Sequence, residues 1–297
     1  MRIGLVLSGG IAKGAYEVGI LKAFREFLPK DYFCCISTSS IGVLNGYAYI
    51  TDQLDEAEKV WKSLDFDGML GFARSFSKAS YVDSLIECLN TANQQIDAAF
   101  YVTALSVPYF CLTYTDIAHI PTSRHIDYLH AGIALPPFRK PVLIKGIRYI
   151  DGALADNIPT LPLLNKKMDL VIVVYFDNDN YVFENQEFNG KVVRIAFPEQ
   201  KVFRDSFAFS EDSVSSMISK GYEGAKSIIE RYQLNNLADT ERIYTMISGE
   251  NRLKPKRSLR ITGDMLVNNF NVLSKKLIRY KVFEKEQGSV TPRIQID

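Results

Sequence analysis

Two consecutive units of apolar strand, small-residue turn and helix fill the first fifty residues, and nothing else in the chain constrains its fold as tightly. Ile3 to Leu7 is a short apolar run ending in Ser8-Gly9-Gly10, after which Tyr16, Ile20, Leu21, Phe24 and Leu28 recur at helical spacing up to Pro29. Tyr32 to Ile36 reads as a second buried strand, Ser37 to Ser40 as a turn and Ile41 to Ile50 as a helix. Strands that are apolar throughout and alternate with helices belong to a largely parallel sheet covered on both faces. Helical patterns at Leu54 to Leu64 and Tyr81 to Leu89 continue the scheme, as do strand-like runs at Phe110 to Tyr114, Val142 to Ile144, Arg148 to Ile150 and Leu170 to Tyr175. The expected fold is α/β, a mostly parallel central sheet flanked by helices in three layers.

The alternation fades after Val192. Val214, Met217, Gly221, Ala225, Ile228 and Tyr232 mark one long amphipathic helix, and Leu266, Phe270, Leu273, Leu277 and Tyr280 mark another. A chain of 297 residues has room for one large α/β domain, or one such domain with a smaller appendage. The organisation expected is an α/β core over residues 1–180, with 181–297 as the remainder of the domain, a largely helical C-terminal region. Leu64 to Phe76 is aromatic and glycine-punctuated without a clean period, and suits a lid.

A formal net charge of +1 excludes a globally basic nucleic-acid binder. The N-terminus passes straight from Met1 into a strand and lacks the three regions of a signal peptide, so a cytoplasmic location is expected. No apolar run reaches the roughly 18 residues of a membrane span, so any membrane contact is expected to be peripheral. Basic residues crowd the stretch from Arg252 onward, which fits an anionic membrane surface and equally a solvated helix face. Cys34, Cys35, Cys88 and Cys111 have neither metal-ligand nor disulfide-scaffold spacing and read as reduced.

Three constellations carry chemistry. The turn Ser8-Gly9-Gly10-Ile11-Ala12-Lys13-Gly14 joins a strand to a helix, where backbone N–H groups can bind an anion; a purely structural tight turn has the same sequence. Thr38-Ser39-Ser40-Ile41-Gly42 is a strand-to-helix turn in which Ser40 alone among four neighbouring hydroxyls has glycine two residues later, letting the helix pack close to the strand. A helix N-cap is the other reading of Ser40. Tyr149-Ile150-Asp151-Gly152-Ala153 ends a strand in a carboxylate, where parallel sheets place their sites, although Asp-Gly is also a common turn dipeptide. Asp156, Asn157 and Pro159 follow closely.

Together the three resemble the patatin-like phospholipase family in order and spacing: LSGGIAKGAYEVGILKAF, TSSIGVLNG and YIDGALADNIP match its Gly-rich turn, its nucleophile elbow and its Asp-Gly motif. His130 to Pro137 is similar to the small-residue and proline stretch that the family carries upstream of its aspartate. The resemblance covers roughly the first 180 residues. It implies a lipid or other acyl-ester substrate, no metal and no cofactor, and a Ser-Asp dyad in place of a triad. Ser40 is then the nucleophile, Asp151 the general base, and the N–H groups of Gly9, Gly10 and Ile11 the oxyanion hole. Lys13, Gly14, Gly42, Gly152 and Asn157 support the motifs. The chain departs from the family pattern at Thr38 and Ile11, where glycine is usual. His119, His125 and His130 lie outside any motif and read as surface or packing residues. Two other readings stay open: a nucleotide-binding switch protein holding phosphate on the turn from Gly9 to Gly14, and a lipid-binding relative without catalysis.

Overall fold

The computed structural model describes residues 1–10, 13–64, 66–67, 82–90, 96–176, 181–183, 185–197, 208–237, 239–253, 258–260 and 293–296. The chain begins with β1 (Ile3–Leu7), α1 (Gly14–Phe27), β2 (Cys35–Thr38), α2 (Ile41–Ile50), α3 (Leu54–Lys62), β3 (Phe66–Asp67) and α4 (Val82–Asn90). It continues with β4 (Ala99–Val107), β5 (Cys111–Asp116), α5 (His125–Gly132), β6 (Val142–Ile144), β7 (Ile147–Asp151), α6 (Leu161–Asn165) and β8 (Leu170–Tyr175). Then follow β9 (Tyr181–Phe183), α7 (Gln186–Asn189), β10 (Val192–Ala196), β11 (Ala208–Phe209), α8 (Glu211–Tyr232), α9 (Thr240–Leu253), β12 (Ser258–Arg260) and β13 (Arg293–Ile296).

The central sheet runs β10-β8-β1-β2-β4-β5-β13, with β7 added to β4 and β6 to β7. Its β10, β8, β1, β2 and β4 pair in parallel, whereas β5 and β7 run antiparallel to β4. Side chains alternate between two cores because successive residues of a strand point to opposite faces. In β8, Leu170, Ile172 and Val174 enter the larger core with α1, α2 and α8, while Val171, Val173 and Tyr175 enter the smaller one with Leu163 of α6. Burial on both faces explains why this strand carries no polar residue.

Helix α8 starts at a Ser210–Ser213 capping box and buries Val214, Ile218, Gly221, Ala225, Ile229 and Tyr232 on one stripe. It crosses α1 at very short range. A methyl group on Gly221 would stand 2.1 Å from the Tyr16 carbonyl oxygen, and one on Gly19 would stand 1.9 Å from that of Ile218.

The mostly parallel α/β architecture agrees with the sequence reading, and three local differences have physical causes. Strand β2 begins at Cys35, because Tyr32 and Phe33 pack edge to face and the Tyr32 hydroxyl donates to the Leu234 carbonyl at 2.8 Å. Their apolarity serves the core and leaves the ladder to later residues. Strand β5 likewise starts only at Cys111, since Phe110 has φ 47° in the preceding turn. Third, the sheet continues past residue 180 by drawing in β10 and β13. The expected helix from Leu266 to Tyr280 lies outside the described residues, as does most of the expected lid, of which β3 pairs with β11. Among the described residues no helix is long and apolar enough to cross a membrane. None of the four cysteines forms a disulfide; Cys35 is buried and Cys34 exposed.

Candidate functional site

Strand β4 is the common reference for the two candidate residues, Ser40 and Asp151. Its one edge is occupied by β5 from Tyr101 to Ser106, so β2 and β7 share the other edge. β2 runs up the first half, ending with Thr38 opposite Val102; β7 runs down the second half, ending with Asp151 opposite Ala104. The carboxyl ends of the two strands therefore face each other across two residues of β4, about 7 Å. The turn at Ser39 and Ser40 leaves β2 at this gap.

Ser40 sits at φ 52°, ψ −130°, a sharp strand-to-helix conformation that ordinary residues rarely adopt. It occupies the N-cap position of α2, yet its side chain makes no capping hydrogen bond, so the hydroxyl is not used as a cap. Ser39 anchors the turn: its N–H donates to the Leu7 carbonyl at 3.1 Å and its hydroxyl to the Asp156 carbonyl at 3.0 Å. Gly42 allows α2 to start directly above β1, where a methyl group would lie 2.8 Å from the Leu7 carbonyl oxygen. Thr38 fits as an ordinary strand residue, fully buried, its hydroxyl donating to the Tyr101 carbonyl at 2.8 Å.

Asp151 is completely buried. Loss of water pushes its carboxyl up to about 7, against the opposing pull of the Ser40 hydroxyl, which lies near enough to hydrogen-bond it, and of the Ala153 N–H. Oδ1 accepts from the Ala153 N–H at 2.8 Å. Oδ2 is buried and accepts no hydrogen bond within ordinary geometric limits. Gly152 continues from Asp151 into a short 3-10 turn packed against Thr103.

The segment after Asp151 clasps the other two blocks. Asn157 holds Gly9 in both directions, its side-chain amide donating to the Gly9 carbonyl at 3.0 Å and its own carbonyl accepting from the Gly9 N–H at 3.3 Å. A methyl group on Gly9 would come within 2.7 Å of Ser40 Cβ and 2.4 Å of Asn157 Oδ1, so only glycine brings this backbone onto the serine. The Gly9 N–H thus already has a partner. Gly10 accepts from the Lys13 N–H at 2.9 Å, which closes the turn before α1. Ile11 lies outside the described residues.

A buried polar group that the sequence motifs do not announce ties this turn to α2, the helix that follows Ser40. Asn45 of α2 donates to the Gly14 carbonyl at 3.0 Å and to Glu17 Oε2 at 2.9 Å, and accepts from the Trp61 indole at 3.0 Å. Burial pushes the Glu17 carboxyl up to about 8, opposed by the Asn45 hydrogen bond. The helical spacing of Gly14 and Glu17, with a polar Asn45 in the otherwise apolar α2, was the signal available in the sequence.

None of the histidines has its partners at this site. His125 lies between the Tyr47 hydroxyl, 3.0 Å from Nδ1, and the Ile120 carbonyl, 2.8 Å from Nε2, and burial lowers its pKa. His130 lies 3.5 Å from Asp83 Oδ1, and His119 lies 4.0 Å from Asp116 Oδ2.

A family model described as patatin-like phospholipase matches residues 5–164. The chain is 32% identical over 185 residues to Lysophospholipase NTE1 of Cryptococcus neoformans var. neoformans serotype D, covering 58% of this chain and 11% of that protein. It is 29% identical over 191 residues to the uncharacterized protein YjjU of Escherichia coli (strain K12), covering 58% of this chain and 51% of that one. The alignments thus span about a tenth of the first relative and about half of the second. In fold it is similar to VipD from Legionella pneumophila, with a TM-score of 0.51 at 11% sequence identity over 93% of this chain and 77% of that one. The matched stretch runs from β1 into α6 and contains the glycine turn, Ser40 and Asp151 alike, and the chain belongs to the patatin-like phospholipase family.

Proposed function

We propose that this chain hydrolyses acyl esters of lipids, phospholipids or lysophospholipids among them, with Ser40 as nucleophile and Asp151 as general base. The observation that carries the reading is a buried carboxyl, raised to about 7, beside the hydroxyl of a serine on a strained elbow. A carboxylate at its ordinary pKa is a feeble base at neutral pH, and one near 7 is matched to the task.

In this scheme Ser40 Oγ attacks the acyl carbonyl carbon while its proton passes to Asp151 Oδ2, the oxygen without a full hydrogen bond. The oxyanion is met by N–H groups of the glycine turn, with Gly10 the central donor. Gly9 contributes only if the substrate displaces its 3.3 Å bond to Asn157. Ile11 completes the hole in this proposal. One such donor is worth about 3–4 kcal/mol in related serine chemistry. Collapse of the tetrahedral intermediate expels the alcohol, which takes the proton from Asp151 and leaves an acyl-serine ester. Asp151 then deprotonates water, which attacks that ester, releases the fatty acid and restores Ser40.

A fluorophosphonate probe tests the assignment. Wild-type chain is expected to be labelled and to hydrolyse short p-nitrophenyl esters, and Ser40→Ala to do neither. Equal labelling of Ser40→Ala would remove Ser40 from the mechanism.

A further inference from the structure

The β4–β5 and β6–β7 hairpins carry the sheet past the end of β2, beyond the candidate site. The β4–β5 hairpin ends in Tyr109 and Phe110, which are 64% and 47% exposed. The β6–β7 hairpin turns at Lys145 and Gly146, both at positive φ, and exposes Leu143 and Ile147. These four make half of the eight large apolar side chains exposed among the described residues. Such clustering is not the ordinary scatter of single surface hydrophobics.

The surrounding charge has one sign. Lys140, Lys145 and Arg148 are exposed, and no Asp or Glu occurs from residue 128 to 150 or from 99 to 115. Register puts Arg148 directly across from both Leu143 and Val107, so cations and apolar side chains share the hairpin tips. Aromatic and aliphatic tips ringed by Lys and Arg match the boundary between acyl chains and anionic headgroups. Two narrow fingers offer a protein partner little flat area, whereas a fluid surface closes around them. The fingers are also continuous with the site. β7 runs from Ile147 down to Asp151, four residues or about 13 Å.

We propose that these hairpin tips form the docking surface of the chain on a bilayer containing anionic phospholipid, so that the cleft between β2 and β7 faces the lipid. The proposal rests on the lipid-hydrolase reading for its purpose, and its test is arranged to separate the two. Binding is measured by flotation of full-length Ser40→Ala with vesicles of phosphatidylcholine alone and of phosphatidylcholine mixed with phosphatidylglycerol. Turnover is measured separately, with Ser40 intact, on a dissolved p-nitrophenyl ester.

The expected result is binding to the mixed vesicles that weakens in high salt and on phosphatidylcholine alone. Tyr109→Ser with Phe110→Ser should lower that binding at least about tenfold, and Lys145→Glu with Arg148→Glu, which removes two positive charges at about fivefold each, at least about 25-fold. Both pairs are expected to keep the wild-type melting temperature and the wild-type rate on the dissolved ester. Full binding by both pairs, or no binding of the parent chain to mixed vesicles, overturns the proposal. So does a dimer in solution that the tip substitutions dissociate, because the surface then belongs to a second copy. Loss of vesicle binding in the tip variants beside a wild type inert on the ester leaves docking standing and discards the catalytic assignment.

Discussion

Asp151 carries a heavy electrostatic load. Burial moves its carboxyl from an ordinary 3.8 to about 7, so folding raises its affinity for a proton. The sign follows from proton counting. Between those two values the folded chain holds a proton that the unfolded chain has released, so stability is fullest below 3.8 and falls as pH rises through about 7. If Asp151 is the proposed base, activity runs the other way, because a base must be ionised: kcat/KM is then expected to climb with pH and level off above about 7. Asp151→Asn should therefore lose about 10²–10⁴ in turnover. The same variant should melt higher than wild type at pH 8, a comparison made by thermal unfolding at pH 5 and pH 8. A variant that melts lower at both pH values would mean that the carboxylate is not the strained group described here. Glu17, raised to about 8 by burial, pushes stability in the same direction with pH.

At the scale of elements, the crossing of α1 and α8 depends on glycine at both contact points. Gly221→Ala would gain up to about 1 kcal/mol in helix propensity if α8 were exposed at that residue. Here the added methyl meets the Tyr16 backbone, and a net loss of about 3 kcal/mol is expected from urea unfolding. This helix was legible in the sequence, as were β1, α1, α2 and β8, because each buries a clean stripe or a fully apolar run. Strand β4 was not. Ala99 to Val107 mixes Thr103 and Ser106 among aromatics and aliphatics, and a strand paired on both edges by different partners leaves no single periodic signature. The candidate residues Ser40 and Asp151 could be found because turn chemistry is local. How β4 aligns them could not, since pairing partners distant along the chain leave no trace in either motif. For the same reason Asn45 passed unnoticed: one amide in an apolar helix announces burial, but not which carbonyl and carboxyl it joins.

Over the whole molecule, described elements beyond residue 180 are part of the body that holds the site. Val193 and Ile195 of β10, with Val214, Ile218 and Ile229 of α8, belong to the same core as β1 and α1. At about 1.5–3 kcal/mol for each buried side chain, these five alone rival the usual total stability of about 5–15 kcal/mol. A fragment ending at residue 180 is therefore expected to show no cooperative thermal transition by circular dichroism, and a sharp one would mean that the first 180 residues are self-sufficient. The arrangement along β4 has one more consequence. The separation of hydroxyl and carboxylate is fixed by main-chain ladders, not by how the surrounding helices nest. On the proposed lipid-hydrolase reading, the outer envelope could thus be reshaped to admit longer, shorter or branched acyl tails while Ser40 and Asp151 keep their distance, and selectivity would become adjustable without disturbing the chemistry.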